Sequence, residues 1–169
     1  MIWYVLLIVA VAVERVAELG VAQRNLSSSR AHGGVEFGAR HYPVMVVLHT
    51  GLLAGCLVEA IALHRPFISA LGLPMLSVVL AAQGLRWWCI ATLGPQWNTR
   101  VVAVPGAARV VAGPYRFLPH PNYAAVIAEG IALPLVHTAW ITALVFSVLN
   151  AALLRTRIKV ENSALASLT

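Results

Sequence analysis

Four stretches of this chain, residues 2–21, 42–63, 67–93 and 123–154, consist almost wholly of Leu, Val, Ala, Ile and other uncharged side chains. A helix of about 20 such residues, rising 1.5 Å per residue, crosses the apolar thickness of a bilayer. Only 11% of the 169 residues are charged, whereas a water-soluble domain carries about a quarter. The chain is therefore expected to be an all-α, polytopic integral membrane protein. The last stretch is interrupted by Pro134 and by His137-Thr138. It is too long for one ordinary span and reads as a C-terminal helical hairpin, 122–136 and 138–154, which brings the expected total to about five spans. No second domain, separating linker or internal repeat is legible, so residues 1–169 are read as one membrane domain. Ala10-Val11-Ala12 faintly resembles a signal-peptidase site, but no basic residue precedes it and the apolar pattern continues, so the first span is expected to be retained.

Ionisable groups inside such spans must face protein, water or the head-group zone. In the first span, Glu14 and Glu18 are four apart and share a helix face, with Arg15 beside them. They are either an internally paired set snorkelling near the surface or part of a site. His41 and His49 are eight apart, too far to chelate one metal as an i, i+4 pair would, and each is either a hydrogen-bonded packing residue or a functional one. Glu59, near His64 and Arg65, is expected to pair in a solvated setting. Arg86-Trp87-Trp88 reads as the interfacial exit of the third span. Glu129 lies in the fourth span, a functional candidate or the partner of a buried cation such as Arg15. Cys56 and Cys89 sit in separate apolar runs and read as two buried thiols.

The polar segments carry more chemistry. Residues 23–40 are expected to be a loop, with or without a short interfacial helix. From Ala112 to Tyr123 the sequence is A-G-P-Y-R-F-L-P-H-P-N-Y. Pro119 and Pro121 lack a backbone N–H and bias Leu118 and His120 toward extended geometry, so this loop is stiff and not a membrane helix. It delivers His120, Asn122 and Tyr123 to the start of a helix, whose free N–H groups suit a ligand with an anionic group. A tail, 155–169, follows the hairpin, and in it Arg157 and Glu161 share a helix face.

Orientation follows from the cations. With the N-terminus outside, Arg24, Arg30, Arg40, Arg86, Arg100, Arg109, Arg116, Arg155, Arg157 and Lys159 lie on the cytoplasmic side and only Arg65 opposite. That bias puts the 94–121 loop and the tail together in the cytoplasm. The net charge of +6 is scattered through short loops and forms no basic stripe, so anionic lipid is the expected partner and nucleic acid is not.

Gly-Pro-Tyr-Arg at 113–116, His-Pro-Asn-Tyr at 120–123, then Arg157-x-x-x-Glu161 with Asn162 and Leu165 resemble the isoprenylcysteine carboxyl methyltransferase family. The resemblance covers the C-terminal half. It implies that His120, Pro121 and Tyr123 help hold S-adenosyl-L-methionine, that Glu161 reaches back to it, and that Arg157 lies near the methyl transfer. Gly113, Tyr115 and Asn122 would shape the same pocket. Pro119 stands where the family pattern has Arg and Asn162 where it has a second Glu, so one charge of each sign is gone.

Methyl transfer from a sulfonium donor is an in-line displacement that chiefly needs alignment and exclusion of water. An acceptor that is already an anion needs little help, whereas a phenol or alcohol needs a base such as Glu161, His120 or Glu129. Short loops, Arg24-Asn25, His41 to Pro43 and Leu48-His49 resemble small bacterial members that O-methylate polyketide lipids such as alkylpyrones or alkylresorcinols. The expected activity is O-methylation of a lipophilic, membrane-borne acceptor, with Glu129, His49 and Glu18 as candidate acceptor contacts and no metal. The alternatives are phospholipid N-methylation, an NADPH-dependent membrane reductase and a non-enzymatic scaffold.

Overall fold

A computed structural model describes residues 1–166. The last three residues of the expected tail, 167–169, lie outside the described residues. The order is α1 (Ile2–Ala31), β1 (Val35–Phe37), α2 (His41–Ala62), α3 (Ser69–Leu93), β2 (Val101–Ala103), α4 (Pro121–Leu135) and α5 (Trp140–Ala166). One-turn 3₁₀ helices at Gly94–Gln96 and Gly113–Arg116 punctuate the connection from α3 to α4.

Among the described residues, three helical segments are long and apolar enough to cross a membrane: His41–Ala62, Ser69–Gln96 and Trp140–Ala164. This is fewer than the five expected. The first apolar stretch contains Glu14, Arg15 and Glu18, and α4 has only 15 residues, short of the usual spanning length. Other expectations also shift. Residues 23–31 are helical, since α1 continues to Ala31 and ends where Gly33 takes φ +77°, the left-handed geometry that glycine enters without strain. Beyond it β1 pairs antiparallel with β2 in the register Val35↔Ala103, Glu36↔Val102 and Phe37↔Val101, a short ribbon in a fold expected to be purely helical. The tail is no separate segment, because α5 runs unbroken from Trp140 through Arg157 and Glu161.

The helices pack α3 along α4, α4 on α5, α5 on α2 and α2 on α1. Tyr4, Ile8, Leu52, Cys56, Val79, Leu133, Val136 and Phe146 form the core. The Tyr4 hydroxyl donates to the Leu133 carbonyl at 3.1 Å, so its one polar atom is paired. Leu6, Val9, Val13, Val16, Val47, Leu80, Leu144 and Val148 are exposed, the apolar outer face a bilayer covers. Cys56 and Cys89 are free, buried thiols, as expected.

The hairpin forms as anticipated, and its second helix is capped from outside. Glu59, buried and not solvated, accepts from Thr142 N at 2.7 Å, Thr142 Oγ1 at 2.8 Å and Ile141 N at 3.2 Å, and pairs with Arg65 at 2.8 Å. A carboxylate at a helix start satisfies otherwise unpaired N–H groups. Within the hairpin, a Cβ on Gly130 would lie inside the contact surface of the buried Phe146 ring. Gly130→Ala is expected to destabilise the protein by about 1–3 kcal/mol through overpacking, read as a lower unfolding midpoint in detergent; an unchanged midpoint would mean that α4 and α5 are not this close.

Candidate active site

A cleft of about 800 Å³ runs from the polar connection between α3 and α4 down between the helices, within the size range of small-molecule sites. Its outer end is made by the two motifs. His120 precedes α4 with φ −134° and ψ 65°, and Pro121 occupies the first helical position, where its missing N–H costs nothing. The Tyr123 hydroxyl donates to Glu161 Oε2 at 2.5 Å, and His120 Nδ1 lies 3.4 Å from Glu161 Oε1. The rings of His120 and Tyr123 stack at 5.4 Å. Residues 38 to 41 positions apart thus converge on one carboxylate.

Arg157 does not pair with Glu161, although they share a helix face. It is buried, and its guanidinium donates to the Thr99 carbonyl at 2.8 Å and approaches Met45 Sδ at 3.3 Å. Thr99 sits on a strap that α1 holds down: Asn25 Nδ2 donates to the Gly94 and Trp97 carbonyls at 3.0 and 2.7 Å, and Asn98 Nδ2 to the Ala22 carbonyl at 3.2 Å. Arg100 pairs with Glu36 at 2.7 Å and lies 4.1 Å from the Tyr42 ring centroid, tying the strap to the ribbon. Tyr115 also lines the cleft. Burial, then the neighbouring Cys89, raises its phenol well above the ordinary value, so it is a neutral hydrogen-bonding group.

The inner end is ionic. Arg15 reaches Glu18 at 2.9 Å, Gln83 at 2.7 Å and Glu129 at 3.8 Å. Arg86 forms a close ion pair with Glu129 and stands 3.5 Å from Glu18. Glu14 accepts from the Trp87 indole and lies 3.5 Å from Arg15. Glu18, Arg86 and Glu129 are each about 5% exposed, so these charges are interior groups, not snorkelling ones, and Arg86 is no interfacial anchor; Trp87 and Trp88 beside it are exposed. His49 Nδ1 donates to the Met45 carbonyl at 2.9 Å, the local bond of a packing residue, while its ring also faces the cleft.

Of the anticipated site residues, Glu18, His49, Tyr115, His120, Asn122, Tyr123, Glu129, Arg157 and Glu161 all line this one cleft. Pro121 is buried behind the wall and Gly113, at φ +54°, packs against Thr92 and Trp88; they shape the site without facing it. Pro119 and Asn162, the two departures from the family pattern, both line the cleft. Sequence reasoning missed Arg86, Thr99 and Asn150. A polar residue inside an apolar run is the signal that could have found Asn150.

The model of the isoprenylcysteine carboxyl methyltransferase (ICMT) family matches residues 75–167, which contain both motifs and all of α4. The chain belongs to this family. Membership makes it a membrane methyltransferase by class. An uncharacterized protein of Bacillus subtilis (strain 168), YpbQ, is 38% identical over 165 residues, covering 98% of this chain and 96% of that protein. An uncharacterized protein of Haemophilus influenzae (strain ATCC 51907 / DSM 11121 / KW20 / Rd) is 26% identical over 155 residues, 91% and 90% of the two chains. No solved structure matches the chain.

Proposed function

We infer that this family member is an S-adenosyl-L-methionine-dependent O-methyltransferase acting on a lipophilic, membrane-borne acceptor. The observation that carries the reading is the convergence of His120, Tyr123 and Glu161 at the outer end of a cleft that continues between the helices. The donor set fits the methyl donor, which is a cation with an aromatic base. The Glu161 carboxylate offers a counter-charge, the stacked His120 and Tyr123 rings offer flat apolar surface, and Tyr115 and Asn122 offer neutral hydrogen-bonding groups. When bound, the donor supplies an activated methyl on a sulfonium. The protein's own work is to hold Glu161 through Tyr123, fix Arg157 through Thr99, and keep water from the reacting atoms. An acceptor with a long chain reaches the inner end from the bilayer, and its product leaves the same way. The cation bias of the loops puts the outer end in the cytoplasm, where the donor is found, and the N-terminus outside.

Binding of S-adenosylhomocysteine to the detergent-purified protein, followed by calorimetry, tests this reading. Saturable binding is expected, weakened about tenfold in His120→Ala by loss of one charge-assisted contact, with the folded fraction unchanged. A well-folded protein that binds no adenosyl compound would sink the reading, and NADPH would be the next ligand to try.

A further inference from the structure

The strip of chain that closes the outer end of the cleft has two sides. Tyr115, Pro119 and His120 line the cleft, whereas Arg116, Phe117 and Leu118, between them in the sequence, are exposed. Phe117 is 73% exposed, too much for a packing residue, and it lies outside every helix long enough to span a membrane. The strip is also stiff. Pro114, Pro119 and Pro121 fix the backbone at three points, and the N–H groups of Phe117 and Leu118 both donate to the Pro114 carbonyl, at 3.1 and 3.2 Å. Whatever steadies the outer edge therefore steadies the inner one.

Its depth is set by α3. From Ser69 to Trp88 that helix rises about 30 Å, the apolar thickness of a bilayer. Trp87 and Trp88 are exposed at this level, where indole rings favour the head-group boundary. The strip folds back to the same level, since Gly113 packs on Trp88 and Thr92 and the Tyr115 side chain is hydrogen-bonded to Cys89. Phe117 and Leu118 emerge beside the indoles, at head-group height.

The charge around them has one sign. Residues 97–128 contain Arg100, Arg109 and Arg116 and no acid. Arg100 is paired with Glu36, but Arg109 and Arg116 are exposed and form no ion pair among the described residues. Arg116 lies only over the Phe117 ring, 6.0 Å from its centroid. A guanidinium grips a phosphate through two parallel N–H groups, while neighbouring aromatic and leucine side chains enter the acyl boundary. A second copy of the chain, docked by the same face about a two-fold axis, would set arginine against arginine.

We propose that Arg116, Phe117 and Leu118 form a docking surface for anionic phospholipid, and that a lipid seated there steadies the Tyr115–His120 wall of the cleft. The second half rests on the methyltransferase reading above. Arg116 holds the phosphate and the two apolar side chains anchor the strip. Its inner edge then has less freedom left to lose when a ligand binds, so the ligand binds more tightly.

Two measurements test the proposal, and the first needs no cofactor. Cys56 and Cys89 are buried, so Leu118→Cys can carry a spin label selectively in the full chain reconstituted in nanodiscs. The label is expected to collide more with oxygen, which concentrates among acyl chains, than with a water-soluble nickel chelate. A label at Ser28→Cys, on the exposed side of α1 near its end, should show the reverse. A Leu118 label as wet as the Ser28 one would overturn the docking surface. So would a label shielded from both reagents in protein that crosslinks as a dimer, which would give this face to a second copy.

The second is calorimetry of S-adenosylhomocysteine in discs of phosphatidylcholine with and without phosphatidylglycerol. This probe carries one charge of each sign on its amino-acid end, so a surface potential does not concentrate it. Its affinity is expected to rise about fivefold with the anionic lipid, the effect of one cation at an anionic surface. Arg116→Gln should remove most of that rise and leave the affinity in phosphatidylcholine alone as in the wild type. Equal affinity in the two lipids, or a rise that survives Arg116→Gln, would refute the coupling. Protein that binds no S-adenosylhomocysteine in either lipid strikes instead at the methyltransferase reading, and the Leu118 label still decides the docking surface.

Discussion

Glu161→Ala is expected to lower methyl transfer by about a hundredfold or more, the size of effect seen when one preorganised electrostatic contact is removed. Among the described residues the outer end of the cleft has a single carboxylate, because Asn162 stands where the family pattern carries a second Glu and the remaining acidic lining residues, Glu18 and Glu129, belong to the ionic layer below. On the proposed reading, the counter-charge for a sulfonium donor at this end is that of Glu161. The same carboxylate orients two other groups, since Tyr123 donates to one oxygen and His120 faces the other. Its removal therefore frees both rings of the stack at once. Glu161→Gln keeps an acceptor for Tyr123 and loses the charge, so its loss should fall between wild type and alanine. The diagnostic is a split of the kinetic effect: the donor KM rises in both variants and the acceptor KM does not. An Ala variant with unchanged donor KM and kcat would detach Glu161 from the site.

The outer end of the site was legible because motif residues act locally. Pro119 and Pro121 fix where α4 begins, and residues close to that start can face only a few directions. That Glu161 would return to them followed from the resemblance alone. The inner end was legible in part, since Glu18, Glu129 and the pairing of Glu129 with Arg15 were anticipated, but Arg86 was missed for a geometric reason. Arg86 stands next to Trp87 and Trp88 in the sequence, and the three together look like an interfacial exit. Successive residues on a helix point about 100° apart, so the tryptophans face outward while Arg86 faces Glu129. The length of α1 was missed for a different reason. Asn25 and Ser27 to Ser29 are mediocre helix formers that commonly read as loop, but here Asn25 holds the Gly94 and Trp97 carbonyls and Ala22 packs with Ile90 and Trp97. Tertiary contacts decide that segment. The ribbon has only three residues per strand and joins segments 64 positions apart between Phe37 and Val101, which no local pattern announces.

Arg86→Ala is expected to destabilise the protein by about 3–5 kcal/mol, the penalty for removing one partner of a buried ion pair. Arg86 is the close partner of Glu129 and the facing cation of Glu18, and all three are nearly inaccessible. Without it Arg15 alone would answer two interior carboxylates, at 2.9 Å from Glu18 and 3.8 Å from Glu129, and the second is already a loose contact. The loss should appear as a much lower unfolding midpoint in detergent, and removing the stranded carboxylate should reverse part of it. Arg86→Ala combined with Glu129→Ala is thus expected to be less damaging than the sum of the two single changes, a coupling of about 1–3 kcal/mol for residues in one network. Strict additivity would mean that water reaches the layer and screens the pair.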